Sequence, residues 1–483
     1  MRHEPQANAY APDPQILHLA PWLGDPVAPA DFPEARLRWR NDRWARGIGL
    51  DGLDDAGWIA HFGRFTPLPD NLPQPLALRY HGHQFGVYNP ELGDGRGFLF
   101  AQMRDGAGRL IDLGTKGSGQ TPWSRQGDGR LTLKGAVREI LATEMLEALG
   151  TNTSKTFSVV ETGEALWRGD EPSPTRSAVL VRMSHGHIRI GTFQRLLVLE
   201  EAGHMAELVD YALAQFPGPP PPADAPGRDQ PAIILLHQVV ERLADMAASY
   251  VASGFVHGVL NTDNMNISGE SFDYGPWRWL PRWDADFTAA YFDHAGRYRF
   301  GKQAEAIKWN CGQLAVALRL LVADTAPLIA ALDRFDGLYQ AALARRVLWR
   351  LGLAPQGLGE NAEHDAALLA AAGAHMREEQ MSPDAFFHLF RGMPDEAVSL
   401  LREGSPLRAV LADYAPIKDA RAHPAWQAPP PDNHIETVET LWAAIDRDDD
   451  WQPLHRHVMA IRALGDALGE PPMPAGHVSA SNA

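Results

Sequence analysis

Short apolar runs bounded by Gly, Pro and Asp dominate the first half of the chain, and apolar positions at helical spacing dominate much of the second. Phe98-Leu99-Phe100-Ala101-Gln102-Met103 reads as a strand, Asp105-Gly106-Ala107-Gly108 as a turn, and residues 109–113 as the returning strand, with Lys116 just past it. A polar, Gly-containing loop over 117–130 leads into a helix expected over about 131–149 and stopped by Gly150. Leu133, Val137, Ile140, Leu141 and Met145 lie at helical spacing on it and are expected in the core. Strands are expected around 156–160 and 178–183. The segment 216–231 holds the run Pro217-Gly218-Pro219-Pro220-Pro221-Pro222, which cannot be helix and reads as a stiff surface linker or loop. Helices are expected over 232–251, 303–321 and 327–348. Residues 1–75 are rich in Pro, Trp and Arg with little periodicity, and read as an irregular wrapping segment. The tail, with Pro429-Pro430-Pro431 and the last dozen residues, is expected to be loosely held. No internal repeat is visible.

Composition narrows the function classes. The chain has 483 residues, 45% hydrophobic and 22% charged, which suits globular lobes around sizeable cores. Its net charge of −16 lacks the basic footprint a duplex binder needs, so nucleic acid is not an expected partner. A local cationic pocket for phosphates is compatible with that charge. The single cysteine, Cys311, allows no intrachain disulfide and no cysteine-rich zinc site, and fits a reducing cytoplasm. The start, Met1-Arg2-His3-Glu4-Pro5, lacks the apolar core of a secretory signal. The most apolar helix-like region, 314–332, is interrupted by Arg319 and Asp324, so no membrane span is expected.

The chemistry concentrates in His257-Gly258-Val259-Leu260-Asn261-Thr262-Asp263-Asn264, followed by Asp273-Tyr274-Gly275. Protein kinases carry a catalytic loop H-R-D-x-x-x-x-N and then D-F-G. On that template His257 takes the His position, Asn264 the metal-binding Asn and Asp273 the metal-binding Asp. The catalytic Asp falls on Val259, which cannot accept a proton. A carboxylate reappears at Asp263, beside the metal ligand, where it can serve as general base or merely cap the loop. Asn264 and Asp273 are oxygen donors, right for magnesium bridging phosphates and poor for zinc.

Upstream, Leu92-Gly93-Asp94-Gly95-Arg96-Gly97 offers close backbone approach to phosphate plus a guanidinium, although taken alone it reads more readily as a structural turn. Lys116 and Glu139 match the strand lysine and helix glutamate of kinases, or an ordinary surface pair. Ser124-Arg125-Gln126-Gly127-Asp128-Gly129-Arg130 is a cationic loop suited to phosphate, or an exposed lid. Arg182 and Arg189 supply planar donor forks that match phosphate. The pairs His81/His83 and His185/His187 come with no obvious third ligand and read as structural. The order implies an α+β, protein-kinase-like two-lobed fold with a strand-rich N-lobe, a helical C-lobe and extra terminal segments. Its expected divisions are 1–75 (wrapping segment), 76–200 (N-lobe), 201–350 (C-lobe with the catalytic loop) and 351–483 (helical extension and tail).

Together the glycine loop at 92–96, Lys116-Gly117-Ser118-Gly119, Gly127-Asp128-Gly129-Arg130, the stretch 182–189, the loop at His257 and Asp273-Tyr274-Gly275 resemble the selenoprotein O family, over about residues 35–320. That resemblance implies a kinase-fold protein adenylyltransferase that moves AMP from ATP to a Ser, Thr or Tyr hydroxyl of proteins, with itself among the candidate acceptors. It implies ATP bound in inverted orientation, with the α-phosphate at the reacting position. By similarity Gly93, Gly95, Arg96, Lys116, Asp128, Gly129, Arg182 and Arg189 hold the nucleotide, and Glu139 orients Lys116. By the same similarity Asn264 and Asp273 bind Mg2+ (or Mn2+), and Asp263 accepts the proton. The chain departs from many members in closing Ser479-Ala480-Ser481-Asn482-Ala483 without a cysteine, so a C-terminal redox disulfide is not expected. Two alternatives stand beside this reading: a γ-phosphoryl kinase using Asp263 as its base, and a non-catalytic nucleotide-binding scaffold.

Overall fold

The computed structural model describes residues 5, 7–169, 171–354, 362–393 and 395–472. The N-terminal segment is more ordered than its sequence suggests. It forms α1 (Ala20–Leu23), β1 (Gly24–Pro26), β2 (Arg36–Arg40), α2 (Asp42–Gly47) and α3 (Asp55–Phe62). Strands β3 (Leu76–Leu78), β4 (Gly82–Gln84), β5 (Val87–Asn89), β6 (Leu99–Arg104), β7 (Leu110–Lys116) and β8 (Leu131–Thr132) follow. Helix α4 (Leu133–Ala148) and the long strands β9 (Lys155–Leu166) and β10 (Thr175–Ser184) complete this half.

The main sheet runs β1-β3-β6-β7-β10-β9-β2, with β8 also pairing β10, and its strands pair antiparallel. Both edge strands therefore come from the segment expected to be irregular. Two strands of three and five residues are too short to show a period, and their partners lie far along the chain. Trp58 and Phe62 of α3 are fully buried against Phe100 and Phe157 on one face of the sheet. Helix α4 packs on the other face, with Leu133, Val137, Ile140, Leu141 and Met145 all buried as expected. Thr132 caps α4 by accepting from the Gly135 N–H at 3.1 Å. Lys116 proves to be the last residue of β7 rather than a loop residue beyond it.

The second half is helical: α5 (Ile190–Val198), α6 (Ala202–Gln215), α7 (Pro231–Ser253), α8 (Gln303–Leu318), α9 (Ala326–Asp333), α10 (Phe335–Leu351), α11 (Ala362–Glu378), α12 (Pro383–Phe390), α13 (Asp395–Leu400), α14 (Pro406–Leu411), α15 (Ile435–Asp448) and α16 (Gln452–Leu468). The single helix expected over 327–348 is thus two, α9 and α10, with Arg334 at their junction. The proline run is tied down from α7, where Gln238 donates to the Gly218 carbonyl at 3.1 Å and Arg242 to that of Pro217 at 3.0 Å. Much of the tail is not loose. Helix α16 packs on α4, where Arg462 grips Glu144 through two nitrogens at 2.6 and 2.8 Å. The final residues, 473–483, lie outside the described ones. A strand-rich half, a helix bearing Glu139 and a helical half around the catalytic loop make this a protein-kinase-like, two-lobed α+β fold. Among the described residues no helix is long and apolar enough to cross a membrane.

Candidate active site

A cavity of about 650 Å³ opens where the sheet meets the catalytic loop. Seven basic side chains and four carboxylates line it, so a strongly acidic protein presents a locally cationic hollow. The lining includes Gly93, Gly95, Arg96, Lys116, Asp128, Gly129, Arg182, Arg189, Asp263 and Asp273. Glu139 and Asn264 are not among the lining residues, and Glu139 reaches the cavity through its bond with Lys116.

Strand register places the first cations. Lys116 of β7 pairs Leu180 of β10, and Gly114 pairs Arg182, so Lys116 and Arg182 lie on one face of adjacent strands. The Lys116 ammonium bonds Glu139 of α4 and sits 3.0 Å from Asp273. Arg182 Nη1 lies 3.7 Å from the same carboxylate. Burial opposes ionisation of Asp273, but Lys116, Arg182, Arg96 and Arg189 outweigh it and hold the carboxyl well below the usual range. Asp273 is therefore a fixed anion. Its φ of 63° is a left-handed conformation that non-glycine residues seldom adopt. The preceding residue is tied down by the bond between His257 Nε2 and the Phe272 carbonyl, 3.0 Å. His257, in the place of the kinase histidine, thus joins the catalytic loop to the Asp273 segment.

A buried relay steadies Arg182. Its Nε donates to His187 Nε2 at 3.3 Å, and His187 Nδ1 lies 3.0 Å from Asp112. Burial pushes the His187 imidazole below its ordinary value. A neutral ring with its proton on Nδ1 satisfies both bonds. Gly114 makes room for this ring, because a Cβ there would stand 2.3 Å from His187 Nε2. The remaining histidines of the two pairs are also engaged: His81 with the Tyr88 hydroxyl, His83 with Gln194 and His185 with the Leu110 carbonyl.

Arg189 ties two loops together. It donates to Asp94 at 3.0 Å and to the Asp263 backbone carbonyl at 3.0 Å, stacked between Tyr80 and Phe272. Two buried guanidinium nitrogens, Arg182 Nη1 and Arg189 Nε, have no hydrogen-bond partner. Unpaired buried donors are costly, and an anionic ligand in the cavity would satisfy them.

Close contacts account for the glycines. A Cβ on Gly93 would fall 2.3 Å from Trp123 Cγ, and one on Gly95 2.8 Å from the Trp123 carbonyl oxygen. Trp123 is fixed from behind by donating to Asp25 at 2.9 Å. Gly129, at φ 69°, closes the loop against Gly119, whose N–H donates to its carbonyl at 3.1 Å. Asp128 pairs with Arg168 at 2.8 Å, which brings the β9–β10 connection over the cavity. We expect Gly93→Ala to push Trp123 aside and weaken ATP binding on the order of tenfold, matching the ~1–3 kcal/mol cost of overpacking. Isothermal titration with ATP would measure this, and an unchanged affinity would remove Gly93 from the site.

Asp263 and Asn264 share a short 3-10 turn, Thr262–Asn264. Burial lifts the Asp263 carboxyl to about 6, against the opposing pull of Arg189. Its Oδ1 has no hydrogen-bond partner, and Gly82 leaves space for it, since a Cβ there would come 2.9 Å from that oxygen. Asn264 donates to the Val259 carbonyl at 3.1 Å, which aims the amide and leaves its oxygen free to ligate. Among the described residues no group of three or more His, Cys, Asp or Glu could hold a metal. An amide oxygen and a carboxylate suit a magnesium-sized cation that completes its shell with phosphate oxygens and water. Sequence reasoning missed Tyr80, Trp123, Arg168 and His187 as parts of the site. Of these only His187 lies in a stretch already singled out for chemistry, and Trp123 immediately precedes the cationic loop at 124–130. Tyr80 directly precedes His81 of a histidine pair read as structural, and Arg168 carries no local signal.

This is the active-site architecture of a kinase-like nucleotidyltransferase, and comparison with known proteins agrees. Residues 8–403 match the family model "Protein adenylyltransferase SelO". A protein of Synechocystis sp. described as protein nucleotidyltransferase YdiU is 42% identical over 93% of this chain and 98% of its own. One of Gloeobacter violaceus with the same description is 44% identical, over 93% and 94%. The chain belongs to the protein adenylyltransferase SelO family. A kinase domain of a Toxoplasma gondii rhoptry antigen aligns at 12% identity and a TM-score of 0.27, over 62% of this chain and 84% of that one, too distant to add to the fold argument.

Proposed function

We propose that the protein transfers AMP from ATP to Ser, Thr or Tyr hydroxyls of cytoplasmic proteins and releases pyrophosphate. The observation that carries this reading is the exchange of bases on the catalytic loop. Val259 stands where a kinase has its proton acceptor, while the carboxylate of Asp263, whose Oδ1 has no hydrogen-bond partner, opens onto the cavity. Arg96, Lys116, Arg182 and Arg189 bind the phosphates of ATP, and Gly93, Gly95 and Gly129 admit them close to the backbone. Asp128 and Arg168 hold the cover of the cavity, and Glu139 keeps Lys116 extended. Asn264 and Asp273 would hold Mg2+, or Mn2+, which when bound neutralises phosphate charge during transfer. Asp263 takes the proton of the incoming hydroxyl as its oxygen bonds to the α-phosphorus. The bond from that phosphorus to the bridging oxygen breaks, and pyrophosphate leaves with the electron pair. The fixed cations stabilise the charge that develops, usually the largest contribution in such transfers.

The test is incubation with magnesium, a protein acceptor and ATP labelled at the α- or the γ-phosphate. Stable label on protein from the α position alone is expected. Label from the γ position alone would make the protein a kinase. Label from neither, with ATP bound, would leave a scaffold.

A further inference from the structure

Beside the catalytic loop, Tyr291 is 78% exposed and Phe292 42% exposed. Their rings pack edge to face with centroids 5.1 Å apart, and Phe292 leans on Phe85 at 5.7 Å. Phe85 and Gly86 form the tight turn between β4 and β5, with φ of 51° and 83°, and Val87 beyond it is 71% exposed. Apolar side chains grouped in water mark a contact surface more often than single ones do. This turn is built into the site. Gln84 lines the cavity. The Phe85 N–H donates to Asn261 Oδ1 at 3.0 Å, the Tyr298 hydroxyl donates to the same oxygen at 2.8 Å, and the His83 N–H donates to Thr262 Oγ1 at 2.7 Å. Asn261 and Thr262 immediately precede Asp263, so the apolar surface is anchored to the segment bearing the proposed base. At its edge the Arg297 guanidinium lies against Gly86 and over Trp309, and no carboxylate among the described residues pairs with it.

We propose that this surface docks the acceptor polypeptide. The segment lies across the β4–β5 turn, sets a large apolar side chain on Tyr291 and Phe292 and an acidic one at Arg297, and delivers its hydroxyl to Asp263. Continuity with the cavity and the unpaired cation select this occupant. The proposal rests on the adenylyl-transfer reading above.

The test uses the full-length protein, α-labelled ATP and a peptide library with a central Tyr, Ser or Thr and scanned flanking positions. The wild type is expected to favour peptides with Leu, Ile, Phe or Tyr near the hydroxyl and Asp or Glu on one side. The double variant Tyr291→Ala/Phe292→Ala should raise KM for the favoured peptides about tenfold, as loss of central aromatic contacts does, with KM for ATP and melting temperature held. Tyr291→Phe, which keeps the ring, should behave as wild type. Arg297→Ala should remove the acidic preference alone. Unchanged peptide kinetics in the double variant, or equal loss in Tyr291→Phe, would overturn the docking surface while leaving the transfer reading intact. So would a wild-type dimer in sedimentation that the double variant abolishes without altering peptide KM, because the occupant would then be a second copy. Absence of α-label from the wild type on any acceptor would overturn the transfer reading itself, and the docking proposal with it.

Discussion

Asp273→Ala is expected to abolish nucleotidyl transfer, with a loss of about 10³-fold or more. The size follows from how many groups converge on this one carboxylate. It is the proposed metal ligand, it lies 3.0 Å from the Lys116 ammonium and 3.7 Å from Arg182, and four cations hold it ionised. Removing it leaves Lys116 bonded to Glu139 alone and Arg182 bonded to His187 alone, so phosphate and metal lose their common reference point. Label transfer from α-labelled ATP at ordinary magnesium measures the loss, with the melting temperature as a check on folding. Full activity in this variant would sink the assignment of the site.

Asp263→Asn should lower kcat by about 10²–10⁴-fold, the range for loss of a positioned general base, while ATP affinity stays near that of the wild type. The sign of the pH dependence follows from the raised carboxyl. Burial pushes Asp263 up to about 6, and only the ionised form can take the hydroxyl proton. Activity at limiting substrate should therefore rise with pH through about 6 and then level off, and the residual activity of Asp263→Asn should lack that acidic limb. A loss of only a few-fold would make Asp263 a positioning residue, and an unchanged limb in the variant would assign the titration elsewhere.

Most of the chemistry is legible in the sequence alone. The motif residues stand in runs short enough to be read together: Gly93-Asp94-Gly95-Arg96, Gly127-Asp128-Gly129-Arg130, and Asp263-Asn264 ahead of Asp273. Helix α4 is legible because its apolar stripe repeats at helical spacing along its length, and that stripe leaves Glu139 free to turn toward Lys116. The edge strands β1 and β2 are not legible, since Gly24–Pro26 and Arg36–Arg40 draw their stability from partners at Leu76–Leu78 and in β9. Nor is the packing of α16 on α4, which rests on Arg462 meeting Glu144 across most of the chain.

The sequence by itself determined which chemical groups are present and which one is missing: a carboxylate at Asp263, oxygen donors at Asn264 and Asp273, the cations, and Val259 where a kinase base would be. These are properties of residue identity and local spacing. Only the tertiary structure decided that His187 passes Asp112's support to Arg182, that Trp123 fills the space two glycines leave, that Arg168 reaches Asp128, and that Phe85 and Phe292 share a surface beside the catalytic loop. Each of these is a contact between distant segments, and pairing of that kind is set by how strands register and helices pack, which no local pattern of residues encodes.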